Sequence, residues 1–305
     1  MKTLTAVFLF IALAPVCDLS GQQSAPGKKS PRVQSGSVAV EKARIYYDVA
    51  GSGDAIILIH GGLLTKEMWD GPFEKLAQRY RVVRYDVRNH GRSRSEATAF
   101  EHFADLKTLM DGLKIDKAVV MGLSLGGKIA IDFALKYPDR TNGLILVAPG
   151  LTGYEFHGPE NQAYDEKFNA AAKSGDLEKI IEAFMEAWTY GPRRSAGQVD
   201  PAVRDKIRGM AAVSLKTWNN QAKELVPSPP AITHLRDIKA PTLAVIGDVD
   251  MPNIIEIVDL LEKNIPRFKK VVIPGAAHMV NLEKPQEFDR AVQNFLNTVY
   301  RRSPE

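Results

Sequence analysis

The stretch Ala118-Val119-Val120-Met121-Gly122-Leu123-Ser124-Leu125-Gly126-Gly127-Lys128 decides the fold. Ala118 to Met121 is a short, wholly apolar run that reads as a buried strand, and Gly126 to Lys136 carries a helical pattern that Pro138 stops. Between them lies Gly122-x-Ser124-x-Gly126. At a strand-to-helix junction this pattern has a mechanical meaning. A sharp turn holds the serine backbone under strain, and glycines two residues on either side let strand and helix approach. The hydroxyl is thereby presented above the sheet, at a helix N-terminus. There the Leu125 N–H and the positive end of the helix dipole can stabilise a developing oxyanion. The same residues nearly spell a phosphate-binding loop, Gly122-x-x-x-x-Gly127-Lys128, but Ile129 stands where a magnesium-binding Ser or Thr is required. Nucleotide binding is therefore not expected, and Lys128 reads as a surface helix residue.

On both sides of this turn short apolar runs alternate with amphipathic stretches. Ser37 to Val40 and Arg44 to Val49 read as a hairpin; Ala55 to Ile59, Arg81 to Tyr85, Leu144 to Val147, Leu243 to Ile246 and Lys270 to Ile273 read as strands. Helical spacing is expected over Pro72 to Gln78, His102 to Leu113, Ile255 to Leu261 and Pro285 to Tyr300. Continuous Val/Ile/Leu strands alternating with helices imply a doubly wound α/β fold with a mostly parallel sheet covered on both faces. Residues 150–235 break the rhythm. They contain helical stretches, notably Asp176 to Trp188 and Pro201 to Ala222, but no comparable strand, so they read as a helical cap between two core segments, 37–149 and 236–305. Tyr154, Phe156, Phe184, Trp188 and Trp218 could line a pocket beneath it.

Composition narrows the class. The 305 residues are 45% hydrophobic, 25% charged and 8% aromatic, as in soluble globular domains and unlike a multi-pass membrane protein. Forty basic side chains against 36 acidic ones leave +4, and basic pairs such as Arg193-Arg194 are scattered, which gives no case for nucleic acid. The one long apolar run, Leu4 to Ala14, is too short for a bilayer span of ~20 residues but suits the core of a secretory signal. Export is expected, to the periplasm or beyond, with residues 1–25 as signal peptide and 26–36 as linker; lipid anchoring through Cys17 is the alternative. With that single cysteine, no internal disulfide can form.

A serine nucleophile needs a base, and the base needs a carboxylate to fix its tautomer. Of six histidines, His278 in Gly275-Ala276-Ala277-His278 follows a strand, at the sheet edge where α/β sites form. The acid belongs between serine and histidine in chain order and also after a strand. Gly247-Asp248-Val249-Asp250 offers two, of which spacing favours Asp250 with Asp248 as fallback. The second oxyanion donor is expected in His60-Gly61-Gly62, with Gly62 N–H as the choice, since glycine lets backbone approach a substrate closely. His60 and His90 read as structural, His102, His157 and His234 as isolated, and no histidine spacing suggests a zinc site.

These motifs resemble the α/β-hydrolase superfamily across Ser37 to Tyr300. The resemblance rests on His60-Gly61-Gly62, Met68-Trp69, the loop Tyr85 to Ser93, the Ser124 turn, Gly247-x-x-Asp250, and Gly275 to Pro285. The similarity is to the branch of small capped carboxylesterases, enol-lactonases and carbon–carbon bond hydrolases. Asn89 departs from it, standing where that loop usually has Gly. The resemblance implies attack of Ser124 on a small ester or lactone, with His278 taking the proton, Asp250 behind it, and Leu125 and Gly62 N–H groups holding the oxyanion. It implies neither a metal nor an organic cofactor. The same residues could serve acyl transfer, perhydrolysis or carbon–carbon cleavage. An aminopeptidase would use Glu178, Glu182 and Glu186 to bind an amine, and a ligand-binding receptor on the same fold is the non-enzymatic reading. Oligomeric state is left open.

Overall fold

The computed structural model describes residues 31–300, so the expected signal peptide, Cys17 and the first part of the expected linker lie outside the described residues. Ten strands follow in chain order: β1 Gln34–Val40, β2 Ala43–Ala50, β3 Ala55–Ile59, β4 Arg81–Tyr85, β5 Ala99–Phe100, β6 Ala118–Leu123, β7 Thr141–Val147, β8 Lys223–Glu224, β9 Thr242–Gly247 and β10 Phe268–Ile273. Eight of them form one sheet in the order β1-β2-β4-β3-β6-β7-β9-β10. β2 pairs antiparallel with β1 and with β4, and every other pairing in the sheet is parallel. The expected mostly parallel sheet is therefore present. β1 begins at Gln34, so the end of the stretch read as linker is ordered strand, with Gln34 opposite Val49.

The helices are α1 Asp70–Leu76, α2 His102–Gly112, α3 Leu125–Lys136, α4 Pro159–Ser174, α5 Leu177–Phe184, α6 Pro201–Leu215, α7 Pro252–Asn264, α8 Val280–Glu283 and α9 Pro285–Val299. The five residues of β3 are all buried because the sheet is covered on both faces. Ile57 and Ile59 point into one apolar cluster, with α2, α3 and α7; Ile56 and Leu58 point into the other, with α1 and α9. This two-residue alternation across a doubly covered sheet explains the unbroken apolar run. Each such side chain contributes roughly 2 kcal/mol by leaving water.

The segment between β7 and β9 holds α4, α5, a π-helical turn at Met185–Tyr190, and α6. Asp176 starts α5 by accepting the Glu178 and Lys179 N–H groups at 3.1 and 3.2 Å, the N-cap arrangement that satisfies otherwise orphaned donors. Fastenings tie the end of this insertion to the core. Ser214 Oγ donates to the Leu64 carbonyl at 2.7 Å, Thr217 Oγ1 to that of Asn89 at 3.3 Å, and β8 pairs with β5. Lys128 belongs to this clasp. Its ammonium meets the Glu224 carboxylate at 2.7 Å with the side chain only 19% exposed, so it is not the solvated surface residue expected.

Candidate active site

Ser124 lies between β6 and α3 with φ 54° and ψ −112°, a left-handed backbone that L-residues rarely adopt. Neighbours over-determine that strain. The Ser124 N–H donates to the Val147 carbonyl at 3.0 Å, and the Ser124 carbonyl accepts from Lys128 and Gly150 N–H groups at 3.0 and 2.9 Å. A Cβ on Gly122 would lie 2.1 Å from the Gly126 oxygen, and one on Gly126 would lie 2.2 Å from the Ile59 oxygen. Both glycines are thus required by close approach, as the pattern implies.

His278 follows β10 and Asp250 follows β9, adjacent parallel strands, so their loops meet at one sheet edge. Nδ1 of His278 lies 3.1 and 3.0 Å from the two Asp250 oxygens, and both residues are 2% exposed. Asp250 Oδ1 also accepts the Met251 N–H at 2.7 Å, which fixes the carboxylate. The fallback acid, Asp248, is exposed and accepts the Gly275 N–H instead. Trp188, in the π-helical turn, lies over the imidazole with ring centroids 4.7 Å apart.

Ser124, His278, Gly62 and Leu125 line one cavity of about 950 Å³. Among the hydrogen bonds of the described residues, none joins the Ser124 hydroxyl to the imidazole. Such contacts are commonly long before substrate binds and tighten in the Michaelis complex. Nothing lies within 4 Å of where a Gly62 Cβ would be, so space beside that residue is open, and Leu125 is the first residue of α3, with no carbonyl four residues back inside the helix.

His60 is fully buried: its Nδ1 is 2.8 Å from the Gly61 carbonyl and so carries the proton, and its Nε2 accepts the Val87 N–H at 2.9 Å. It braces the loop, as expected, and burial pushes its pKa down to about 4. Burial, reinforced by nearby His60, takes His90 to about 3. Arg88 is equally internal, with Nε and Nη2 each 2.7 Å from an Asp105 oxygen. His157 and His234 sit at exposed positions beside Glu256 and Asp237, and no metal-holding group of three His, Cys, Asp or Glu occurs among the described residues.

Other expectations are corrected. His102 is not isolated: it lines the cavity and is 7% exposed. Of the five cap aromatics, Phe184, Trp188 and Trp218 line the cavity, whereas Tyr154 and Phe156 pack edge-to-face on each other elsewhere. Glu178 and Glu182 pair with Arg208, and Glu186 pairs with Lys167; none lines the serine cavity, so the aminopeptidase amine site is not there. Tyr164 and Phe168 of α4 do line it and were missed, because α4 is too polar to announce an inward face.

The chain belongs to the alpha/beta hydrolase fold family, whose model matches residues 54–285. It is 29% identical over 275 residues to a 2-hydroxy-6-oxo-6-phenylhexa-2,4-dienoate hydrolase of Burkholderia cepacia, covering 83% of this chain and 91% of that one. It is 27% identical over 264 residues to a pimeloyl-[acyl-carrier protein] methyl ester esterase of Yersinia enterocolitica, covering 83% and 97%. A solved thermophilic esterase from Thermogutta terrifontis superposes with a TM-score of 0.69 at 25% identity, covering 87% of this chain and 99% of that one. Among the described residues, no helix is long and apolar enough to cross a membrane.

Proposed function

We propose that the protein hydrolyses small carboxylic esters or lactones through Ser124, His278 and Asp250. The observation that carries this reading is the buried His278–Asp250 pair, opening on the same cavity as a serine held at a strained strand-to-helix turn. Nδ1–H of His278 donates to Asp250, which leaves Nε2 as the base. As Ser124 Oγ attacks the carbonyl carbon, its proton passes to Nε2, and Asp250 stabilises the imidazolium. The carbonyl oxygen becomes an oxyanion that the Leu125 and Gly62 N–H groups hold; losing one such donor costs ~3 kcal/mol in the barrier. The tetrahedral species collapses, the imidazolium gives its proton to the leaving alkoxide, and an acyl-serine remains. Water then attacks, Nε2 takes its proton, and the acid departs as Ser124 recovers a proton. Kinship to the Yersinia esterase and the Thermogutta structure supports the ester as substrate class.

The test is hydrolysis of p-nitrophenyl acetate and butyrate by wild type and Ser124→Ala. Turnover by wild type that disappears in the variant is expected; equal rates in both would remove the reading. Kinship to the Burkholderia enzyme supports carbon–carbon cleavage as the second reading, tested by turnover of 2-hydroxy-6-oxo-6-phenylhexa-2,4-dienoate with the same two proteins.

A further inference from the structure

The cavity over Ser124 extends along a helical hairpin to which the proposed mechanism gives no task. α4 and α5 are consecutive, joined through Gly175 and Asp176. From α4, Tyr164, Phe168, Ala172 and Gly175 line the cavity, at spacings of four, four and three. From α5 and the π-helical turn after it, Leu177, Ile180, Phe184 and Trp188 line it, at spacings of three, four and four. Each set follows one face of its helix. The hairpin therefore turns two side-by-side stripes towards the cavity, and neither contains a charged side chain.

Both ends of the stripes are fixed. At one end the Trp188 ring lies 4.7 Å from the His278 ring and 5.4 Å from the Tyr164 ring, centroid to centroid, so Tyr164 and Trp188 mark the reacting end. At the other end Gly175 and Leu177 flank the turn of the hairpin, and Leu177 is 47% exposed, so that end reaches solvent. On α4 the side chains shrink with distance from the imidazole, from Phe168 to Ala172 to Gly175. At a rise of ~1.5 Å per residue, Ala172 stands ~12 Å along α4 from Tyr164, and the turn ~16 Å. An extended chain advances ~1.2 Å per bond, so ~10 bonds reach Ala172. The charged groups of the cavity lining come from other elements and are paired there: both Glu224 oxygens accept from Lys128 Nζ, at 2.8 and 2.7 Å, and Arg88 donates to both Asp105 oxygens at 2.7 Å.

We propose that this face of the hairpin is a slot for an extended apolar arm of the substrate, an alkyl chain of about ten carbons on one side of the scissile ester, with Ala172 setting how far the chain can run. This rests on the proposed ester-hydrolase reading and names its substrate class. Each methylene laid against the stripes leaves water, so binding strengthens with chain length as far as the stripes extend. Ala172 is the specificity-determining position because it is small, lies part-way along the slot and is exposed on a cavity-lining face, where a larger side chain has room to project and block the path.

Two ester series read the slot and assign the arm. p-Nitrophenyl decanoate against p-nitrophenyl butyrate varies the acyl side; decyl acetate against butyl acetate, followed by titration of the released acid, varies the alcohol side. In one of the two series the ten-carbon ester is expected to show a kcat/KM about 10-fold above its four-carbon partner. Ala172→Trp is expected to lower that ratio about 10-fold, whereas Ala170→Trp, at an exposed position of α4 outside the serine cavity, leaves it unchanged. Calorimetric titration of Ser124→Ala protein with methyl decanoate, decyl acetate and methyl butyrate reads the same preference without turnover and without altering the slot. No preference for the longer chain in either series, a ratio that survives Ala172→Trp, or a ratio that Ala170→Trp lowers equally would overturn the slot. Absence of turnover with every ester would instead strike the ester-hydrolase reading. Binding to the Ser124→Ala protein would then decide the slot by itself: tighter binding of a ten-carbon ester upholds it, and equal or absent binding of all three overturns it.

Discussion

Ser124 keeps a backbone at φ 54° that a free chain would abandon, because three hydrogen bonds and two neighbouring glycines leave it no alternative. That geometry is useful only if the base behind it has a fixed tautomer. Asp250→Asn preserves shape but cannot hold the Nδ1–H form, and kcat is expected to fall about 10⁴-fold while KM changes little, as steady-state kinetics will show. Asp132 illustrates a residue whose ionisation works against the fold. One oxygen accepts the Thr152 hydroxyl at 2.7 Å, the other has no partner, and burial pushes its pKa up to about 6. Between pH 4 and 6 the unfolded carboxyl loses its proton while the folded one keeps it, so stability falls as pH rises through that window. Asp132→Asn removes the penalty. It is expected to raise stability by ~3 kcal/mol at pH 8 and by almost nothing at pH 4, measured by urea denaturation.

At the scale of elements, the turn after β6 depends on contact between strand and helix backbones. Gly126→Ala would bring a methyl within 2.2 Å of the Ile59 oxygen, and a destabilisation of about 3 kcal/mol or more is expected in urea melts, with loss of turnover. The core strands were legible because both faces of the sheet are covered: β3 and β9 show all their residues buried, and short length, β-branched content and flanking turn signals separate such runs from a buried helix. Arg81 to Tyr85 was read to the residue. The insertion was less legible. In α4 only Asn161 and Ala171 are buried, so no apolar stripe marks it, and the expected helix from Pro201 stops at Leu215 rather than Ala222. The expected helix from Asp176 passes into a π-helical turn at Met185, and that turn carries the Trp188 that meets His278. In the candidate site, Ser124, His278 and Asp250 each follow a strand and sit in a motif, so chain order is enough to single them out as candidates. His102 and Tyr164 reach the cavity only through tertiary packing, which leaves no local pattern to read.

Across the whole molecule, buried neutral histidines tie stability to pH. His60 and His90 are held at about 4 and 3, whereas the unfolded chain protonates them near 6.5. Below that pH the unfolded state takes protons that the folded state refuses, so stability declines from about pH 6.5 towards pH 4, the reverse of the Asp132 effect. The two histidines are each displaced further than the aspartate, so a net loss on acidification is expected. Urea midpoints at pH 7 and pH 4.5 check this, and His60→Gln is expected to flatten the slope. The cavity itself joins core and insertion: Ser124 and His278 come from the core, Trp188 and Trp218 from the insertion, and the Lys128–Glu224 pair clasps the two. Glu224→Gln, read by steady-state kinetics, is expected to raise KM several-fold with little change in kcat, since it loosens a wall and leaves the serine and imidazole untouched.

Turnover requires Ser124 to be a nucleophile whose reactivity comes from His278. Treating the protein with a fluorophosphonate and mapping the adduct by peptide mass spectrometry measures this directly. Rapid labelling of Ser124 alone, slowed by orders of magnitude in His278→Ala, is the predicted result; an adduct on another residue, or a Ser124 rate indifferent to His278→Ala, would contradict it.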